Sequence, residues 1–194
     1  MKDSSNVTDW LVSKSFVRME EKEIIEFGLN QGLLIGMNII TIMILGVVFG
    51  VFPHSVVFLL AFILLRSHAG GYHADSIKRC YLLSIFIISI SFCFIKYYDS
   101  SKLNCFLLAC LSGFFIVKLA PVDTNNNQLD FLETKVYRLR TLKILAVETV
   151  IFLLAIIGNV VPIYESITLA MTITGLLLLS GYIKSNDFKI YKKK

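Results

Sequence analysis

Cysteine is the side chain here best suited to act as a nucleophile at neutral pH, and only one of the four copies sits in a setting that helps it. Cys93, Cys105 and Cys110 lie inside apolar blocks, where a cysteine is commonly a small buried hydrophobe. Cys80 instead follows Lys78 and Arg79 in the only compact polar cluster between apolar runs. Asp75 or Ser76 can cap a helix beginning just after them, which places Cys80 in or just past its first turn. The positive end of the helix dipole and the two cations then favour thiolate, the attacking form. The plain alternative is an ordinary cysteine at a helix start. No C-x-x-C occurs, which weakens a redox pair or a zinc ribbon.

A thiol nucleophile needs a base, and His73 lies seven residues earlier. On one continuous helix the two would share a face about 10 Å apart, too far for proton transfer. Contact therefore requires a bend between them, which a helix start at Asp75-Ser76 supplies. His73 would take the thiol proton and later return it to a leaving amine. His68 is a second candidate, separated from Cys80 by the flexible Gly70-Gly71 pair. Those glycines can adopt positive φ and approach a ligand closely, so their amides could form an oxyanion hole, with Arg66 clamping a carboxylate or developing oxyanion. They serve equally well as a tight turn, with Arg66 a snorkelling anchor. His68, His73 and Cys80 are possible zinc ligands by type, but there is no H-E-x-x-H, and Asp75 is the only acid from 66 to 80. No metal and no other cofactor is expected.

Such a cluster needs a scaffold, and the rest of the sequence describes a membrane one. The chain has 194 residues, 56% of them hydrophobic and only 17% charged, with a mean hydropathy of +0.72. A soluble domain this size needs more charge to cover its core. No short apolar stretch with a cleavage site precedes the first long run, so that run is expected to remain as a span. The composition predicts an all-α polytopic membrane protein with about six transmembrane helices. Residues 1–30 carry apolar positions at roughly helical spacing, with Trp10 among them. They predict an N-terminal interfacial amphipathic helix, the alternative being a disordered tail. The membrane domain is expected over 31–183, with spans at Leu33–Phe52, Val56–Leu65 (short enough to be half-length), Tyr81–Tyr98, Leu103–Leu119, Leu142–Val161 and Ile167–Ile183. Pro53-His54-Ser55 reads as a tight external turn. The segment 66–80 would be catalytic and 121–140 a loop, followed by a basic tail, 184–194.

With both termini cytoplasmic, 17 of the 19 Lys and Arg fall on the inner side, leaving Lys96 and Lys102 outside. The net charge of +5 thus reflects topology rather than nucleic-acid binding. Glu148 stands inside the fifth span, near its cytoplasmic end on this reading, and could pair with Arg66 or Lys143.

The run Arg66, Ala69-Gly70-Gly71, His73 and Cys80, together with the size and apolar spans, resembles the AgrB family (accessory gene regulator protein B) of quorum-sensing peptide processors. The resemblance covers nearly the whole chain. Ala120-Pro121-Val122-Asp123 is similar to a family loop motif, but Asn125-Asn126-Asn127-Gln128 departs from the Pro-Asn-Lys that often follows. The resemblance implies a cysteine endopeptidase in a Gram-positive cell membrane, acting as a homodimer on an AgrD-like propeptide. Cys80 would cleave off an acidic C-terminal tail through an acyl-enzyme thioester. An internal cysteine or serine would then close a thiolactone or lactone. Cys80 and His73 would then be the catalytic pair, with Arg66, Gly70 and Gly71 positioning the substrate and Asp75, Asp123 and Glu148 as possible accessories. A small peptide transporter without proteolytic activity is the rival; it would line several spans with polar residues, and only scattered ones such as Asn38, Glu148 and Asn159 are visible. A non-catalytic assembly or sensor subunit is a third.

Overall fold

A backbone in lipid has no water to satisfy its N–H and C=O groups, so long apolar runs close their hydrogen bonds internally as helices. The computed structural model describes residues 2–14, 18–70, 77–98, 100–122 and 130–191, and helices dominate these segments. They are α1 (Lys2–Ser13), α2 (Lys22–Val48, entered through a 3-10 turn), α3 (Phe52–Ala69), α4 (Ile77–Tyr97), α5 (Lys102–Leu119), α6 (Phe131–Ile157) and α7 (Val161–Tyr191). The helices α2, α3, α4, α5 and α7 are each long and apolar enough to cross a membrane. The protein is an all-α, multi-pass membrane protein. The expected fifth span falls on α6, which has the length at 27 residues but carries Arg140, Lys143 and Glu148 through its middle.

Helix boundaries differ from the sequence expectation where proline and capping chemistry act. Pro53-His54-Ser55 is not a turn but the first turn of α3, where a proline fits because its missing N–H would have no helical partner. The chain reverses instead at Gly50, with φ of 73°, and the Val51 amide donates to the Gly46 carbonyl at 2.8 Å. The second span is consequently a full 18-residue helix rather than a half-length one. The second half of the expected 121–140 loop is also helical, because α6 begins at Phe131. There Glu133 accepts from the Asp130 amide at 3.0 Å, satisfying a donor that would be orphaned at the helix start. Asn159 lies in the α6–α7 turn with φ of 54°, not within a span. Asparagine tolerates that left-handed backbone better than most residues.

The helix α7 packs against α3, α5 and α6, while α2 packs against α3 and α4. Phe58, Leu65, Ile116, Ala170 and Leu178 are enclosed on these inner faces, and large apolar side chains such as Ile40, Phe86, Leu107 and Leu154 face outward. Outward-facing apolar surface on every span is the pattern of a lipid-facing bundle. Close helix approach depends on small residues. A Cβ at Gly46 would overlap the buried Ser55 side chain of α3. Gly46→Leu is therefore expected to force α2 away from α3 and cost about 1–3 kcal/mol. A thermal melt of the detergent-solubilised variant that matches wild type would refute this close packing.

Candidate thiol site

Two helix ends and one loop meet at the end of the bundle that carries Cys80. The helix α3 stops at Ala69 because Gly70 leaves helical geometry, with φ of 70° and ψ of −149°. The Ala69 carbonyl accepts from the Val122 amide at 3.2 Å, and Gly70 forms a parallel bridge with Val122. A Cβ on Gly70 would lie 2.5 Å from the Val122 carbonyl oxygen. Glycine is required here twice over, by backbone angle and by closeness. Of the two roles expected for this residue, the structure displays the turn.

The helix α4 begins at Ile77, so Cys80 is its fourth residue, as the Asp75-Ser76 start predicted. Gly71, His73, Asp75 and Asp123 lie outside the described residues. Cys80 is a free, half-buried thiol. Its helix turn is anchored on both sides: Ser84 Oγ donates to the Cys80 carbonyl at 3.0 Å, and the Tyr81 hydroxyl meets Thr41 Oγ1 of α2 at 2.8 Å.

Arg66, from the last turn of α3, comes close enough to Cys80 for the guanidinium and the sulfur to interact electrostatically. One guanidinium nitrogen, Nη1, is shielded from solvent, so Arg66 points into the protein rather than snorkelling outward. Lys78 and Arg79, the sequence neighbours expected to supply positive charge, are exposed. The cation coupled to the sulfur thus arrives from another helix, fourteen residues back in the chain. A partly shielded guanidinium within electrostatic reach of a sulfur can stabilise negative charge arising there, where screening by water is weakened.

His68 turns elsewhere. Its Nδ1 lies 2.8 Å from Ser67 Oγ, and its ring stands 6.3 Å from that of Tyr137 on α6. Glu148 shares the buried face of α6 with Thr141, Leu145, Phe152 and Ala155. Among the described residues neither of its carboxylate oxygens has a hydrogen-bond partner, so the expected pairing with Arg66 or Lys143 is not formed. Glu148 is eleven residues beyond Tyr137, about 16 Å farther along the helix axis. It sits deep in the bundle rather than at the Cys80 end. Glu148→Gln is expected to leave the melting temperature unchanged or raised, since it removes an uncompensated buried acid while preserving shape. A clear fall in melting temperature would show that the carboxylate has a stabilising partner.

Sequence reasoning missed a second polar cluster at the opposite end of the bundle. His54, in the first turn of α3, has Nε2 3.2 Å from Glu165 Oε2 on α7, with both side chains largely buried. The alignment is too poor for a hydrogen bond. An acid four residues inside an apolar run was the one local signal, but its partner lies more than a hundred residues away.

The model of the family described as Accessory gene regulator B matches residues 4–179. The chain belongs to the AgrB family. The match extends from α1 through most of α7, so the Arg66–Cys80 junction and the Gly70–Val122 contact both lie within the AgrB region. The provisionally named AgrB-like protein 2 of Clostridium perfringens (strain 13 / Type A) is 38% identical over 148 residues, covering 71% of this chain and 68% of that protein. An AgrB-like protein from strain SM101 / Type A is 36% identical over the same length, with the same coverage. AgrB-like protein 1 of strain 13 is 28% identical over 154 residues, covering 76% and 79%. No solved structure matches the chain.

Proposed function

We propose that this AgrB-family protein is a membrane-embedded cysteine endopeptidase that removes the C-terminal tail of an AgrD-like propeptide and passes the remaining acyl group to a nucleophile within the same peptide. The observation that carries the reading is the half-buried free thiol of Cys80 on the first turns of α4, within electrostatic reach of the guanidinium of Arg66.

In this reading His73 takes the Cys80 proton and the sulfur attacks the scissile carbonyl, giving a tetrahedral intermediate whose oxyanion faces Arg66 and the Gly70-Gly71 amides. Collapse breaks the C–N bond, His73 returns the proton to the departing amine, and the tail leaves. Cys80 then holds an acyl thioester. A cysteine thiol (or serine hydroxyl) within the bound peptide attacks that thioester carbonyl, closing a thiolactone (or lactone) and restoring the Cys80 sulfur. Thiol–thioester exchange is nearly balanced in energy, so the second step depends on proximity and on keeping water out. A site among packed helix ends suits both needs.

The test is to trap the intermediate. Purified protein in lipid nanodiscs is mixed with a synthetic propeptide whose internal nucleophile is replaced by alanine, and intact mass is recorded after brief reaction. A covalent adduct equal to the propeptide minus its tail, located on Cys80 and released by hydroxylamine, is expected. Tail release with no adduct on Cys80, or no cleavage of any propeptide encoded beside the gene, defeats the reading.

A further inference from the structure

The helices that present Arg66 and Cys80 at one end of the bundle also build a pocket at the other. Its volume is about 530 Å³, within the range of roughly 300–1,000 Å³ typical of small-ligand sites. His54 from the start of α3, Lys96 and Tyr98 from the end of α4, and Glu165 from the start of α7 contribute its polar groups. Val51 and Val161 contribute apolar wall. His54 is twelve residues before Arg66 on α3, roughly 18 Å along the axis. The pocket is therefore a separate place from the thiol site.

We propose that this pocket binds the carboxylate end of a short apolar peptide. Three features support that chemistry. Lys96 is exposed, with its ammonium 5.6 Å from the Tyr97 ring centroid, so it stands at the pocket mouth able to meet an anion. Glu165 Oε2 lies 3.2 Å from Nε2 of His54, while Nδ1 has no hydrogen-bond partner among the described residues. A carboxylate entering between Lys96 and His54 would form a charge-assisted pair with the Lys96 ammonium and accept from Nδ1–H of His54. The backbone beneath the pocket is also fixed, because Ser166 Oγ donates to the His54 carbonyl at 3.0 Å and ties the start of α3 to α7. The apolar wall beside these groups favours a ligand with hydrophobic side chains over a small inorganic anion.

The inference does not depend on the thiol chemistry, and its test reads binding alone. Full-length protein in phosphatidylcholine nanodiscs is titrated with the tetrapeptide acetyl-Ala-Leu-Ile-Phe as the free acid and as the C-terminal amide, followed by ligand-observed saturation-transfer NMR. The acid is expected to bind at least about tenfold more tightly than the amide, and Lys96→Gln to lose about tenfold for the acid only. Lys96 is exposed, so this substitution leaves the fold in place. Equal affinity for acid and amide, no binding at millimolar peptide, or unchanged affinity in Lys96→Gln overturns the assignment. So does complete loss of peptide binding in phosphatidylglycerol nanodiscs, which would assign the pocket to a lipid phosphate.

Discussion

Cys80→Ala is expected to reduce tail release from the propeptide by about 10⁴-fold or more, to the background rate, because removing a covalent nucleophile removes its whole pathway rather than one stabilising contact. The substitution should be nearly silent in stability. Cys80 is half-buried, has no disulfide, and lies on a helix whose turn is held by the Ser84 and Tyr81 contacts rather than by the sulfur. Alanine is also a better helix former than cysteine. An unchanged melting temperature with lost cleavage would therefore separate chemistry from folding. Cleavage followed by mass spectrometry of the liberated tail is the measurement, and a Cys80→Ala protein that still releases tail at about a tenth of the wild-type rate removes Cys80 from the mechanism. Cys93→Ala and Cys110→Ala, both at lipid-exposed positions, should retain full activity and serve as controls for loss of a thiol as such.

The parts of this architecture legible in the sequence are those set by strong local physics. Uncharged runs long enough to span have one stable backbone solution in lipid, so the helices around Leu33, Tyr81, Leu103 and Ile167 follow from composition. The expectation of a helix opening ahead of the apolar run near residue 77 agrees with α4 beginning at Ile77, and with it the place of Cys80 near the helix start. Boundaries fail where one residue type has two uses. Pro53 can make a turn or open a helix, and the structure uses it to open α3. Glu133 looks like one charge among several in a polar loop until it caps α6.

Tertiary pairings are the larger gap. Nothing local distinguishes Arg66, coupled to Cys80 across the α3–α4 junction, from Lys78 or Arg79, which stand nearer in sequence and turn to solvent. The burial of Glu148 without a hydrogen-bond partner among the described residues and the meeting of His54 with Glu165 likewise arise only when α3, α6 and α7 are packed. The site's chemistry is thus readable as a list of residue types, whereas its electrostatic partners are a property of the bundle.

Gly70→Ala should be the most damaging substitution outside the proposed catalytic pair. The observed φ of 70° with ψ of −149° falls close to a region populated almost only by glycine, and forcing an L-residue there costs roughly 1–3 kcal/mol. The added Cβ would also sit 2.5 Å from the Val122 carbonyl oxygen, a backbone atom that cannot rotate aside. Relief requires the Ala69–Val122 hydrogen bond to open and the 120–122 segment to move off the end of α3. Arg66 is one helical turn before that joint, so the guanidinium would shift relative to Cys80. A displacement of about 1 Å between reacting and stabilising groups can cost on the order of 10²-fold in rate. Gly70→Ala is therefore expected to lower cleavage by about 10²-fold and to lower the melting temperature as well. Gly36→Ala is the matched control, since a Cβ there meets nothing within 4 Å, and alanine in an open helical position should stabilise slightly. If both variants cleave and melt like wild type, the close contact between Gly70 and Val122 does not position the site.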